Sequence, residues 1–169
     1  YAQLSYTPNP QTSICAGGVC SPENYMTLAR DCAAAYQCAL RYHISGDTQY
    51  ADKSVQIMNA WASTLTEITG DTNASLRAGL YGYQFACAGE LMRNYSGWAP
   101  ADFTAFKNMM VNIFYDRNTY FLTYHHGTCD SHYWANWDLA NMASIMAIGV
   151  LCDNQTIFCL LYTSDAADE

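Results

Sequence analysis

Apolar side chains recur at steps of three and four residues along the chain, which is the spacing of one face of an α-helix. The clearest run extends from Thr48 to Thr69. Its members on that face are Ala51, Val55, Met58, Ala62 and Leu65. Period-two alternation, which predicts a strand with one buried face, is rare in this sequence. The pattern therefore predicts an all-α protein.

Glycine and proline residues divide this pattern into five predicted helices. Ser21 is placed to cap the first helix with Pro22 at its first position, and Gly46 ends it. The predicted helices cover residues 21–44, 48–69, 74–95, 102–115 and 132–151. Their up-and-down order favours stacked helical hairpins, and no exact internal repeat indicates a solenoid.

Small residues crowd the third predicted helix. They are Gly79, Gly82, Ala86, Ala88 and Gly89, and they stand among aromatic residues. Small side chains let neighbouring helices approach closely. We therefore expect a partial α/α toroid, which is an incomplete barrel of helical hairpins, rather than a compact bundle.

The two ends of the sequence differ from its middle. Residues 1–20 contain Pro8, Pro10, Gly17 and Gly18 and are predicted to be irregular, whereas residues 21–158 form the helical domain. Residues 159–169 read like a translated sequencing-library adapter, so we interpret them as a non-native tail. The start at Tyr1 has no initiator Met or leader, and we interpret the chain as a fragment.

Composition narrows the functional classes. Of the 169 residues, 51% are apolar and 13% are charged, a balance typical of a packed domain. Fifteen acidic residues against seven basic ones give a net charge of −8, which becomes −5 without the tail. General nucleic-acid binding needs a basic surface and is excluded. No apolar run is long enough to cross a bilayer, so no membrane partner is expected.

Cysteines and glycosylation sequons point to a secreted, extracellular protein. The chain has eight cysteines, and sequons begin at Asn73, Asn94 and Asn154. Seven cysteines remain without the tail. Because seven is odd, at least one thiol is unpaired or pairs with a part of the protein outside this chain.

The densest group of functional residue types lies at 124–138, where a predicted loop leads into the last helix. It holds three of the four histidines, two of the four tryptophans and two carboxylates. A metal site is disfavoured because His125 and His126 are adjacent and point apart, and no His-Glu-x-x-His order occurs. Cys129 with His132 is a possible nucleophile pair, but a secreted cysteine is more often in a disulfide. On the predicted helix, His132 and Asn136 share one face.

Three segments carry a family resemblance: Ile44–Asp47, Leu76–Ala86 and His132–Met142. Together they resemble the alginate-lyase-like polysaccharide lyases over about residues 24–158. The resemblance implies an α/α toroid whose cleft holds an acidic polysaccharide, either alginate or glucuronan. It also implies β-elimination without a cofactor, and a catalytic Tyr and Arg on later helices, so we expect the fragment to be inactive or impaired.

The resemblance assigns roles to residues of this chain. We expect His132 to act as base or carboxylate partner, Asn136 as an amide donor and Tyr133 as a proton donor, with Tyr83 and Tyr124 as alternatives for the last role. Substrate-binding candidates are Arg77, Gln84, His126, Trp134 and Trp137. In the family an Asn-His pair often precedes the Tyr-Trp element, whereas here Asp130 and Ser131 precede His132.

Two other functions fit the same residues. A glycoside hydrolase on the same fold needs two carboxylates that flank the scissile bond, and Asp130 with Asp138 is the nearby pair. A non-catalytic domain that binds polyuronate keeps the cleft and its aromatic side chains but has no turnover.

Overall fold

The computed structural model describes residues 2–164, except the side chains of Asp130 and of residues 160–164. The helices are α1 (Tyr25–Ser45), α2 (Thr48–Ala62), α3 (Asn73–Met92), α4 (Pro100–Met109), α5 (Asp116–Tyr124), α6 (Asn136–Leu151) and α7 (Gln155–Ser164). Two strands, β1 (Ser13–Ala16) and β2 (Glu67–Gly70), form a parallel pair. The described chain is mostly helical, which confirms the all-α prediction. The toroid remains a prediction.

Helix α3 packs closely against α6. A Cβ atom on Gly79 would lie 2.8 Å from the backbone carbonyl carbon of Ala140, and one on Gly89 would lie 3.0 Å from Leu151. Contacts therefore advance in the same direction along both helices, so α3 and α6 run parallel. The small residues of α3 have the role that the sequence predicted, because they allow two helix backbones to touch.

Helix α1 lies on another side of α3 and also runs parallel to it. Near the start of both helices, the Arg77 guanidinium lies 4.2 Å from the ring centroid of Tyr25. Near their ends, the ring of His43 makes a 2.6 Å hydrogen bond to the carbonyl oxygen of Leu91. Helices α1, α3 and α6 therefore begin at the same end of the molecule.

The N-terminal region is more ordered than predicted. Strand β1 pairs with β2, with Ile14 opposite Ile68. The prediction of a helix through Thr69 is wrong after Ala62, because the β-branched residues that follow form β2 instead. Helix α1 begins at Tyr25 rather than at Ser21.

Two side chains attach this region to the helices. Asn24 accepts a 2.7 Å hydrogen bond from the backbone N–H of Cys15 and donates to the carbonyl oxygen of Ser13. The buried carboxylate of Asp31 accepts hydrogen bonds from the Tyr6 hydroxyl, from the backbone N–H of Asn9 and from the Trp61 indole. These contacts explain why residues that precede α1 hold a fixed position.

The second half of the chain differs from the prediction at both ends of the loop that was predicted between residues 115 and 132. Helix α4 continues through a π-helical segment, Met110–Tyr115, into α5, so the chain is helical up to Tyr124. Buried Phe114 and Phe121, seven residues apart, keep one helical face against the core. Helix α6 begins at Asn136 rather than at His132.

The predicted tail boundary falls inside a helix. Helix α7 continues past residue 158 to Ser164, and residues 165–169 lie outside the described part of the chain. One disulfide, Cys15–Cys20, is present among the described residues. None of the described helices is both long enough and apolar enough to cross a membrane.

Candidate active site

Aromatic rings gather around Phe121 at the end of the molecule where α3 and α6 begin. The Phe121 side chain is fully buried, and its ring centroid lies 5.5 Å from that of His126, 5.2 Å from Tyr133 and 6.0 Å from Trp137. The structure therefore brings together three of the residues that the sequence nominated. We call this group, with His125, the Phe121 cluster.

His125 connects α5 to α6. Its Nε2 atom lies 3.0 Å from Oδ1 of Asp138, and both side chains are largely buried, at 13% and 17% exposure. The Phe121 ring also packs against the edge of the His125 ring, at 5.3 Å between centroids. A hydrogen bond between a histidine and a carboxylate fixes the orientation of the imidazole ring.

The backbone around the Phe121 cluster is strained. His125, His126 and Gly127 have successive positive φ values of 41°, 53° and 75°. Ala135, just before α6, has φ 81°. Non-glycine residues in this region cost on the order of 1–3 kcal/mol each, and such strain is concentrated at functional sites. In this backbone conformation both histidine rings contact Phe121.

His126 is a neutral imidazole at neutral pH. Its Nε2 atom lies 3.5 Å from the Ser75 hydroxyl in the first turn of α3. Burial lowers the pKa of His126, and the positive charge of Arg117 lowers this pKa further. The Asp71 carboxylate has the opposite effect. A neutral imidazole can accept a proton, which is the requirement for a general base.

Arg117 is a basic residue of the site that the sequence analysis missed. It lies on α5 four residues before Phe121, so these two residues share one helix face, and His125 is the first residue after that helix. Burial lowers the pKa of its guanidinium, and its buried Nε has no hydrogen-bond partner among the described residues. The four-residue spacing was a usable signal, but residues 116–131 were predicted to be a loop.

His132 and Asn136 do not share a helix face, which corrects that expectation. His132 lies in a short 3-10 turn outside α6, whereas Asn136 is the first residue of α6. The His132 ring lies 4.7 Å from the ring of Tyr133, and both His132 and Asn136 are exposed. Trp134 is 69% exposed. These residues border the Phe121 cluster on the solvent side.

Arg77 and Gln84 lie on the face of α3 that is directed towards α1. Arg77 stacks on Tyr25, and it lies near Tyr81, whose pKa is raised by burial. The Nε atom of Arg77 and the Oε1 atom of Gln84 are buried without a hydrogen-bond partner among the described residues. Arg77 therefore contacts α1, whereas His126 contacts α3 at Ser75.

The groups named for other chemistries are placed as follows. Among the residues that the structure describes, no group of three His, Cys, Asp or Glu side chains could hold a metal ion. Cys129 is exposed, and its Sγ atom lies 3.7 Å from the Ser131 hydroxyl. For the hydrolase pair, Asp138 contacts His125, and the side chain of Asp130 lies outside the described residues.

Comparison with known proteins identifies the family. No curated protein and no solved structure gives a significant match to the chain. The family model described as alginate lyase matches residues 18–160, which include α1 to α6 and every residue of the Phe121 cluster. This match supports polysaccharide lyase function in general. The chain belongs to the alginate lyase family.

Proposed function

We propose that this protein is a secreted polysaccharide lyase that cleaves an acidic uronic-acid polymer, alginate or glucuronan, by β-elimination at the Phe121 cluster. The observation that carries this proposal is the position of His126. This neutral imidazole, with its pKa lowered by burial, lies near the positive charge of Arg117 where α3 and α6 begin. A base beside a carboxylate-binding cation is the pair that β-elimination from a uronate requires.

The substrate carboxylate must be neutralised first, because the proton on the adjacent carbon is otherwise too weakly acidic to remove. Arg117 is assigned this role, since an arginine can pair with a carboxylate through two hydrogen bonds. The N-terminal ends of α3 and α6 add partial positive charge at the same place. This local positive potential supports binding of a polyanion to a chain with a net charge of −8.

His126 is assigned the role of base and Tyr133 that of acid. His126 takes the proton from the carbon next to the carboxylate. The electrons form a carbon–carbon double bond, and the glycosidic bond breaks. The Tyr133 hydroxyl protonates the departing oxygen. The Tyr133 ring is 6.0 Å from the His126 ring, so both groups can reach one sugar residue.

The remaining nominated residues are assigned to substrate binding. His132 and Asn136 are exposed beside Tyr133 and can hydrogen-bond to the uronate being cleaved. Exposed Trp134 and half-buried Trp137 offer apolar ring faces to sugars. Arg77 and Gln84 are assigned to a more distant part of the polymer, because a buried polar atom without a partner costs about 1–3 kcal/mol that a ligand could recover.

Product analysis of the full-length protein tests the proposal. Incubation with alginate and with glucuronan should release unsaturated uronates, which absorb in the near ultraviolet. Replacement of His126 by Asn should abolish this release. The matched control is His43→Asn. His43 is exposed near the C-terminal end of α1, away from the Phe121 cluster, and it hydrogen-bonds to the carbonyl oxygen of Leu91. New reducing ends without ultraviolet absorbance would instead indicate a hydrolase, and binding without turnover would indicate a binding domain.

A further inference from the structure

A carboxylate stands directly before α3, between β2 and the Phe121 cluster. Asp71 accepts 2.9 Å hydrogen bonds at Oδ1 from both the backbone N–H and the side-chain amide of Asn73. Its Oδ2 atom accepts a 2.9 Å hydrogen bond from the backbone N–H of Gly18. These donors stabilise the charged form, and the pKa of Asp71 is correspondingly lowered. Asp71 is therefore an ionised group with a fixed orientation.

Gly18, which donates to Oδ2 of Asp71, belongs to the loop that the Cys15–Cys20 disulfide closes. Gly17 has φ 105°, and a Cβ atom there would lie only 1.8 Å from Oδ1 of Asp71. Only glycine permits so close an approach of the loop to the carboxylate. The Glu23 side chain accepts a 2.6 Å hydrogen bond from the Gly17 N–H and holds the loop from its other side.

The first turn of α3, which begins just after Asp71, contacts His126. Ser75, four residues after Asp71, lies 3.5 Å from Nε2 of His126. The charged and titratable groups around His126 are Arg117 and His125 from α5 and its end, Asp71 from the start of α3, and the ring of Tyr133. Arg117 and His125 disfavour a proton on His126, and Asp71 favours it.

We propose that Asp71, held by the loop closed by Cys15–Cys20, is a positioning residue that stabilises the protonated imidazole formed when His126 accepts the substrate proton. This inference rests on the proposed function, in which the proton moves from the sugar carbon to His126. Arg117 binds the substrate carboxylate but opposes a second positive charge beside it. Asp71 offsets that opposition without contacting the sugar.

Titration of the histidine ring resonances by nuclear magnetic resonance in the full-length protein tests this role. Asp71→Asn should lower the pKa of His126 by about half a unit, a threefold loss of proton affinity. The acid limb of the elimination rate should move to lower pH in the same variant. Asp52→Asn is the matched control, since it removes the same charge from a carboxylate that contacts Tyr95 on another surface.

Two further variants separate charge from structure. Asp71→Ser is neutral but smaller, and its hydroxyl can still accept from the N–H of residue 73, so it should fold and shift His126 as Asp71→Asn does. Asp71→Glu restores the charge and should return the titration towards the wild-type value. Equal His126 titrations in the wild type and in both neutral variants would overturn the inference. Because the titration needs no turnover, this outcome is distinct from finding elimination intact in His126→Asn, which would refute the proposed base.

Discussion

The Nε2 atom of His125 and the Oδ1 atom of Asp138 lie 3.0 Å apart and join the end of α5 to the first turn of α6. Asp138 follows His125 by thirteen positions, and the short 3-10 turns His125–Gly127 and Asp130–His132 lie in this stretch. His125 has a positive φ of 41° and begins the strained segment that carries His126, so the bond anchors the start of this segment to α6.

Loss of this bond should destabilise the protein. Asp138→Asn removes the carboxylate charge, and a buried hydrogen bond to a charged group contributes about 1.5–3 kcal/mol. We expect the free energy of unfolding in urea to fall by about that amount. Asp116→Asn, at an exposed position at the start of α5, should change it by less than about 0.5 kcal/mol. Equal effects of the two substitutions would contradict the importance of the His125–Asp138 bond.

The lowered pKa of His126 predicts a pH dependence of stability. The ordinary pKa of histidine is about 6.5, and this value applies in the unfolded chain. Between that value and the lower folded pKa, the unfolded chain binds more protons, so the free energy of unfolding falls as the pH falls. Urea unfolding at pH 7.5 and at pH 5.5 should show a smaller loss of stability in His126→Asn than in the wild type. If both proteins lost the same unfolding free energy between these pH values, groups other than His126 would cause the pH dependence.

Arg117 should act mainly by pairing its positive charge with the carboxylate of the substrate. Replacement by Gln removes the cation but keeps a hydrogen-bonding side chain, so we expect kcat/KM for a polyuronate to fall by about a hundredfold, equivalent to about 2.7 kcal/mol of transition-state stabilisation. The control is Arg41→Gln, because Arg41 is an exposed arginine whose guanidinium stacks on Tyr50. Steady-state rates from the ultraviolet absorbance of the product measure both, and parity between them would remove Arg117 from the site.

His132 should contribute to substrate binding more than to the chemical step. Its side chain is exposed and lies outside α6. His132→Ala should therefore raise KM by about tenfold, which corresponds to about 1.4 kcal/mol, with kcat changed by less than threefold. Complete loss of kcat would show that His132 is the base, and normal values of both constants would exclude any role in the reaction.

Close packing of α3 on α6 should make Gly79 sensitive to substitution. A Cβ atom there would lie 2.8–3.0 Å from backbone atoms of Ala140 and Asn141, which cannot move aside as side chains do. Gly79→Ala should cost about 1–3 kcal/mol of unfolding free energy. Gly18→Ala, where a Cβ atom meets no atom within 4 Å, is the matched control and should stay within about 0.5 kcal/mol. A thermal or urea unfolding series decides between them.

The sequence predicted features that depend on local spacing. The i, i+3, i+4 pattern placed α2 and α3 correctly in outline, and the small residues of α3 indicated a close helix contact. The local pattern failed to predict elements that form only through contacts between segments far apart in the sequence. Residues 67–70 form a strand only because Ile68 pairs with Ile14, more than fifty residues away. Likewise, Phe121 lies on a helix and its ring is buried in the core. The sequence pattern predicted a loop for this segment because the partners of that ring come from other segments.

By itself, the sequence determined the helical class, the family resemblance and the concentration of histidine and aromatic residues at 124–138. Only the tertiary structure decided which of those residues meet. In the structure, His126, Tyr133 and Trp137 surround Phe121, and His132 lies outside α6. The structure also places the charges of Arg117 and Asp71 near His126. The physical reason is that burial, charge and backbone strain at a site arise from contacts between segments, and residue spacing within one segment does not specify them.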